Sequence, residues 1–201
     1  MRLAIIRKVL WALAGAGAIA YAALLVWTSG REPAQQARSE PPFHADFELT
    51  DHAGTVRSDE DFAGNWMLVF FGFANCPDIC PTTLADVSIV MDRLGEEADR
   101  VRPLFITIDP QRDTVAELAS YVPRFDPRIV GLTGTADQIA RTAKTFRIYY
   151  ERLEEAAAPD GYTMSHSSQL FLFGPEAGYV TSYAYGTPVE EVVADLRDRV
   201  S

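Results

Sequence analysis

The chain has 201 residues, 48% hydrophobic and 23% charged, which suits one ordinary globular domain plus an appendage. Its 28 acidic residues outweigh 18 basic ones, for a formal net charge of −10. Removing the five basic and two acidic residues of positions 1–42 leaves 13 against 26, a net −13, which argues against nucleic acid or anionic lipid as the partner of the remainder.

The first predicted element is a membrane span. Residues 1–8 carry Arg2, Arg7 and Lys8 and no acid, and Val9 to Trp27, "VLWALAGAGAIAYAALLVW", holds no charge. As a helix this run covers about 28 Å, close to the hydrocarbon thickness of a bilayer. The basic flank predicts a cytoplasmic N-terminus and export of everything after the span. A cleavable signal peptide is the competing reading, since "AIA" (18–20) and "AYA" (20–22) are small-residue sites. The apolar run, however, continues through Leu24, Leu25, Val26 and Trp27, past the usual length of such a segment. Only eight residues precede it, too few for a mitochondrial presequence. The expectation is a single-pass protein of the bacterial inner membrane with its globular part in the periplasm. Residues 28–42, "TSGREPAQQARSEPP", lack apolar periodicity and read as a flexible linker, and the domain is expected over 43–201.

Within that domain, "FELTDHAGTVRS" (47–58) predicts a hairpin turning at Asp51–Gly54. "NWMLVFFGF" (65–73) and "VRPLFITID" (101–109) are continuous apolar runs, as expected of strands buried on both faces. Between them Leu84, Val87, Val90, Met91 and Leu94 recur at helical spacing and stop at Gly95. A helix over 114–122, a short strand at "RIVGL", a helix striped by Ala136, Ile139, Ala140, Ala143 and Phe146, and an edge-like strand at "FRIYYERL" follow. "SSQLFLFGPEAGYVTSYAYG" predicts a hairpin, and Val189, Val192, Val193, Leu196 and Val200 mark a last helix behind Thr187-Pro188. Strands and helices in this order give an α/β fold of thioredoxin type. Fold alone does not assign a function.

Both cysteines lie in "FANCPDICPTTL", where the first buried strand meets a helix N-terminus. An exported pair would form a disulfide by default, but closing a three-residue loop gains little entropy, so a purely structural bridge is disfavoured. Amide dipoles at the helix end favour thiolate. Cys76 and Cys80 are one residue further apart than the Cys-x-x-Cys of thiol oxidoreductases, which admits a metal while still permitting a disulfide. A third ligand would have to be one of three histidines. His44 and His52 lie near the start of the domain, whereas His166 precedes a buried strand in "GYTMSHSSQLFLF" and can be held over the strand–helix junction. Two thiolates and an imidazole suit Cu(I), with Zn²⁺ chemically admissible, and the alternative is that His166 is only a packed residue at a strand start.

"FGFANCPDICPTTL", "FITIDPQRDT" and "YTMSHSSQLFLFGPEAG", in that order, resemble the signature stretches of the Sco (SenC) family of cytochrome c oxidase assembly proteins. The resemblance covers roughly residues 43–200. It implies a periplasmic thioredoxin-like domain that binds one copper, as Cu(I) or Cu(II), through Cys76, Cys80 and His166. It also implies work on the copper-site subunit of the oxidase, with another copper chaperone or a thioredoxin-like reductant as possible further partners. Where the family usually has an acid just before the histidine, this chain has Ser165, which removes one expected orienting partner of the ring. Asp78 and Asp109 fit the motifs, with helix capping and a strand-end turn as their plain structural roles. Met164, two residues before His166, would share its face of a strand, offering a thioether to Cu(I) or merely filling a gap. Two functions remain distinct: copper delivery without turnover, and reduction of the cysteines of an apo copper site by a Cys76–Cys80 couple. Only the first needs His166. A peroxidase of this fold is disfavoured because no Thr-x-x-Cys motif is present.

Overall fold

The computed structural model describes Tyr21 and residues 43–200. The expected span at 9–27 and the linker at 28–42 therefore lie outside the described residues, apart from Tyr21. Among the described residues no helix is long and apolar enough to cross a membrane.

The first hairpin pairs β1 (Glu48–Asp51) with β2 (Val56–Ser58), Glu48 opposite Ser58. Its turn forms where expected because the Asp51 carboxylate accepts the amides of Ala53 (2.9 Å) and Thr55 (2.8 Å). β3 (Trp66–Gly72) and β4 (Val101–Thr107) are the two apolar runs, paired in parallel from Trp66 opposite Val101 to Gly72 opposite Thr107. Between them runs α1 (Ile79–Leu94), which stops as Gly95 turns to φ +63°, a region costly for any residue with a Cβ. α2 (Val115–Tyr121) then leads to β5 (Val130–Thr133), and α3 (Ala136–Thr145) follows it. Both helices start at a threonine: Thr114 accepts from the Glu117 amide, and Thr135 forms a capping box with Gln138. β8 (Leu170–Phe173), β9 (Tyr179–Tyr183) and α4 (Val189–Val200) complete the expected terminal hairpin and helix.

The main sheet has the order β2-β1-β5-β4-β3-β8-β9, with β3, β4 and β5 parallel and the outer strands antiparallel to their neighbours. This is the expected α/β thioredoxin-like arrangement. α1 packs on α4, α2 on β5 and α3 on β1. The centre is aromatic, with Phe70, Phe71, Phe73, Phe105, Phe146 and Phe173 buried. Burying each such ring contributes roughly 1.5–3 kcal/mol, so the two central strands are the rigid platform from which the following loops extend.

One element departs from expectation. Residues before the last hairpin form a separate strand, β7 (Tyr162–His166), paired antiparallel with β6 (Tyr150–Glu154). His166 is thus the end of β7, opposite Tyr150, and not the beginning of β8. The β6–β7 ribbon is a sheet of its own, here called the arm.

Candidate metal centre

The site begins where β3 runs out. Phe73 is still core, and its carbonyl accepts the Cys76 amide at 3.2 Å, closing a turn that lifts Cys76 to a half-buried position. α1 starts at Ile79, so Cys80 lies in its first turn and is fully buried. The sulfur of Cys80 rests over Gly72: a Cβ at that glycine would lie 2.7 Å from Cys80 Sγ, 2.9 Å from Phe105 and 3.0 Å from Phe70. The four-residue spacing turns both sulfurs to one side, and the Cys80 amide points at Cys76 Sγ at 3.5 Å.

His166 reaches the pair from the arm, its Nε2 3.6 Å from Cys80 Sγ. The ring meets Phe70 and Phe73 edge-on, each with centroids 6.0 Å apart. His166 Nδ1 lies 2.8 Å from the Ser167 carbonyl oxygen, a contact that requires an N–H there and leaves the Nε2 lone pair aimed at the sulfurs. Ser167 is itself fixed by Tyr149, whose carbonyl accepts the Ser167 amide at 2.9 Å. The backbone carbonyl therefore supplies the orientation that an acid at position 165 would otherwise be expected to give.

The two thiols are electrostatically unequal. Cys76 is held down to about 4, first by the Cys80 thiol donating to it, with burial opposing and the Asp78 and Cys80 amides assisting. Cys80 is pushed up because its proton is shared with the Cys76 sulfur and its site is buried. The free pair is thus one thiolate and one thiol, and a metal that takes both sulfurs must displace the Cys80 proton.

The ligand atoms of Cys76, Cys80 and His166 all lie within 4.8 Å of one another, the only such group among the described residues. Two soft sulfurs and one imidazole lone pair fit Cu(I), and the same thiols, both free in the structure, fit a disulfide couple. His44, bridged to Gly178, and His52, whose Nδ1 accepts the Gly131 amide at 3.0 Å, take no part. Asp78 occupies the cap position of α1 but makes no side-chain cap bond; Thr82 donates to its carboxylate at 3.5 Å. Met164 does share the inward face of β7, yet it packs on the core and lines a cavity with Ile108, Ile139 and Tyr150.

Two carboxylates complete the surroundings: Asp113, which the sequence did not single out, and Asp109, which it did. Asp113 is fully buried and accepts the Ala74 amide (3.0 Å) and the Thr107 hydroxyl (2.6 Å), tying the cysteine loop to β4. Asp109 is also buried, bound by Arg112 and Tyr162. The "DPQRDT" run signals them only in that three charged residues follow a buried strand directly.

A family model described as SCO1/SenC matches residues 35–201. The mitochondrial SCO2 homologue of Bos taurus is 39% identical over 198 residues, 95% of this chain and 74% of that protein. Among solved structures, Bradyrhizobium japonicum ScoI with copper bound is 35% identical with a TM-score of 0.72, the match covering 78% of this chain and 98% of that one. Yeast Sco1 with copper bound is 32% identical with a TM-score of 0.73, covering 80% and 89%. A family model matching residues 35–201 and a relative 39% identical over 95% of the chain show that the chain belongs to the SCO1/SenC family.

Proposed function

We propose that this chain is a copper-binding assembly protein for cytochrome c oxidase that holds one copper through Cys76, Cys80 and His166 and passes it to the copper-site subunit by ligand exchange. The observation that carries the reading is the convergence of three ligand atoms, from the β3–α1 loop, the first turn of α1 and the end of β7, within 4.8 Å. Copper is cargo here, and no turnover is required. Three protein ligands leave room for an incoming ligand of the acceptor, so transfer needs no fully free ion. Residues 9–27 would anchor the protein in the bacterial inner membrane, 1–8 would lie in the cytoplasm, and 28–42 would link the anchor to the copper-binding domain, 43–201, in the periplasm. That placement rests on the apolar run and its basic flank.

Metal analysis after desalting tests the ligand set. The expected result is one copper per chain, lost in Cys76→Ala and in Cys80→Ala; undiminished loading of either variant would sink it. A second reading, a thiol–disulfide reductase acting on the apo copper site, is favoured by the low-lying Cys76 thiolate beside a buried Cys80 thiol. The two part at His166. Its replacement by Ala is expected to weaken copper binding and to leave thiol–disulfide exchange in place, because electron exchange does not use the imidazole.

A further inference from the structure

The histidine of the site sits on an element that main-chain bonding does not attach to the rest of the fold. β6 and β7 pair only with each other, and an isolated two-stranded ribbon is marginal in water. Apolar packing beneath it is incomplete: a cavity of about 160 Å³ lies between Tyr150, Tyr162 and Met164 of the arm and Ile108, Pro110 and Ile139 of the body. Something else must fix the arm's position.

Three side chains do so. Arg112, nine-tenths buried behind β4, donates from Nε to Asp109 at 2.5 Å. Its Nη1 donates to two carbonyls leading into the arm, those of Pro159 (3.2 Å) and Tyr162 (3.1 Å). The Tyr162 hydroxyl returns a bond to Asp109 at 3.1 Å. The Arg112 guanidinium lies 3.8 Å from the Tyr162 ring centre and 5.8 Å from that of Phe73, the ring that borders His166. Arg152 stacks on Tyr162 from the arm at 3.7 Å.

We propose that Asp109, Arg112 and Tyr162 form a lock that positions the His166 arm against the cysteine loop and sets how fast copper leaves the site. These are positioning residues, none of them within the ligand set. The lock holds one ligand in place through the ribbon, while the two cysteines are held by β3 and α1 and do not depend on it. Loosening it therefore frees the imidazole first and leaves copper on two sulfurs, open to an acceptor. The statement about copper release rests on the copper reading above; the statement about the arm does not.

The probe is Tyr162→Phe in the full chain, which removes the bond to Asp109 and keeps the ring, the stacking and the buried Asp109–Arg112 pair. Transfer of Cu(I) to an excess of a chromophoric chelator is expected to quicken about tenfold, the worth of one hydrogen bond to a charged group. In a His166→Ala background the same change should add nothing, because the arm then carries no ligand. A merely structural loss would instead accelerate release equally in both backgrounds, and that result would overturn the proposal. In the metal-free chain, amide exchange along β7 is expected to rise about tenfold while β3 stays protected. Unchanged β7 exchange would overturn the lock whether or not copper binds. Failure of the wild-type chain to bind copper would remove the copper reading alone, with exchange still deciding the lock. Arg112→Lys, which keeps the charge but cannot bond Asp109 and the two carbonyls from separate nitrogens, should act in the same direction.

Discussion

Gly72 fixes the depth of the site. The Cys80 sulfur occupies the volume a side chain at position 72 would need, since an added Cβ lies 2.7 Å from it, with two aromatic rings closing the other sides. Neither ring is a flexible end, so the sulfur itself must move. Gly72→Ala is therefore expected to displace Cys80 from Cys76 and His166 and to lower copper loading, besides costing about 1–3 kcal/mol from overcrowding. Gly131→Ala is the control: its Cβ would meet Val122 at 3.0 Å in the same sheet, away from the cysteines. The control should lose stability and keep its copper; equal copper loss in both variants would reduce Gly72 to a packing residue. The three side chains that the structure brings together were legible in the sequence, because thiols at that spacing and a distant histidine are rare chemistry in a chain with two cysteines and three histidines. Gly72 was not, because nothing local distinguishes a glycine that makes room for a sulfur eight residues further on from one that merely ends a strand. Ser165 misled in a similar way: a missing acid is visible in a sequence, but the Ser167 carbonyl that orients the ring instead is present in every residue.

The elements were legible in proportion to their apolar periodicity. β3, β4, α1 and α4 lie within a few residues of their expected bounds, since a buried run or a helical stripe is dictated by the core it must face. β7 was missed as a strand of its own. Its sequence, Tyr-Thr-Met-Ser-His, alternates weakly and runs into the stronger apolar signal of β8, so the two read as one strand beginning near the histidine. Its pairing with β6 is a long-range fact that no local pattern carries. The consequence reaches Met164. It does project on the same face as His166, as the two-residue period requires, but that face passes over Ile108 and Ile139 before it reaches the cysteines. Its thioether therefore packs against the body. Met164→Leu, close in volume, is expected to leave Cu(I) affinity within about twofold of wild type, an energy change of a few tenths of a kcal/mol. A competition titration against a chromophoric chelator checks this, and selective loss of Cu(I) affinity would return the sulfur to the site.

At the scale of the whole molecule, acidity is the property most visible in the composition, and its effect on stability depends on which carboxylates are buried. Asp126, hydrogen-bonded by Arg128, is held below its ordinary range. A depressed carboxylate stabilises the fold above its unfolded value of 3.8, and that contribution is lost only as pH falls below it. Asp113 has the opposite sign. Burial pushes it up to about 6, although Thr107 and the Ala74 amide oppose the shift, and its Oδ1 has no hydrogen-bond partner. A raised carboxylate binds its proton more tightly folded than unfolded, so its ionisation destabilises the fold above about 6. That penalty is relieved as pH falls from about 6 toward 3.8. Its full size is on the order of 3 kcal/mol, equivalent to roughly 6–12 °C in melting temperature for a domain of this length. Taken alone, this contribution raises the melting temperature at pH 4.5 relative to pH 7.5, while the Cys76 thiolate, held at about 4, contributes in the opposite direction over the same range. Asp113→Asn keeps an oxygen for Thr107 and Ala74 but cannot ionise, so it should lack that part of the rise. Every other group titrates alike in the two proteins and cancels in the difference. Thermal melts of metal-free wild type and Asp113→Asn across this range measure that difference, which should shrink or reverse toward low pH. A difference independent of pH would show that Asp113 titrates alike folded and unfolded, as it would if water reached its free oxygen and removed the penalty.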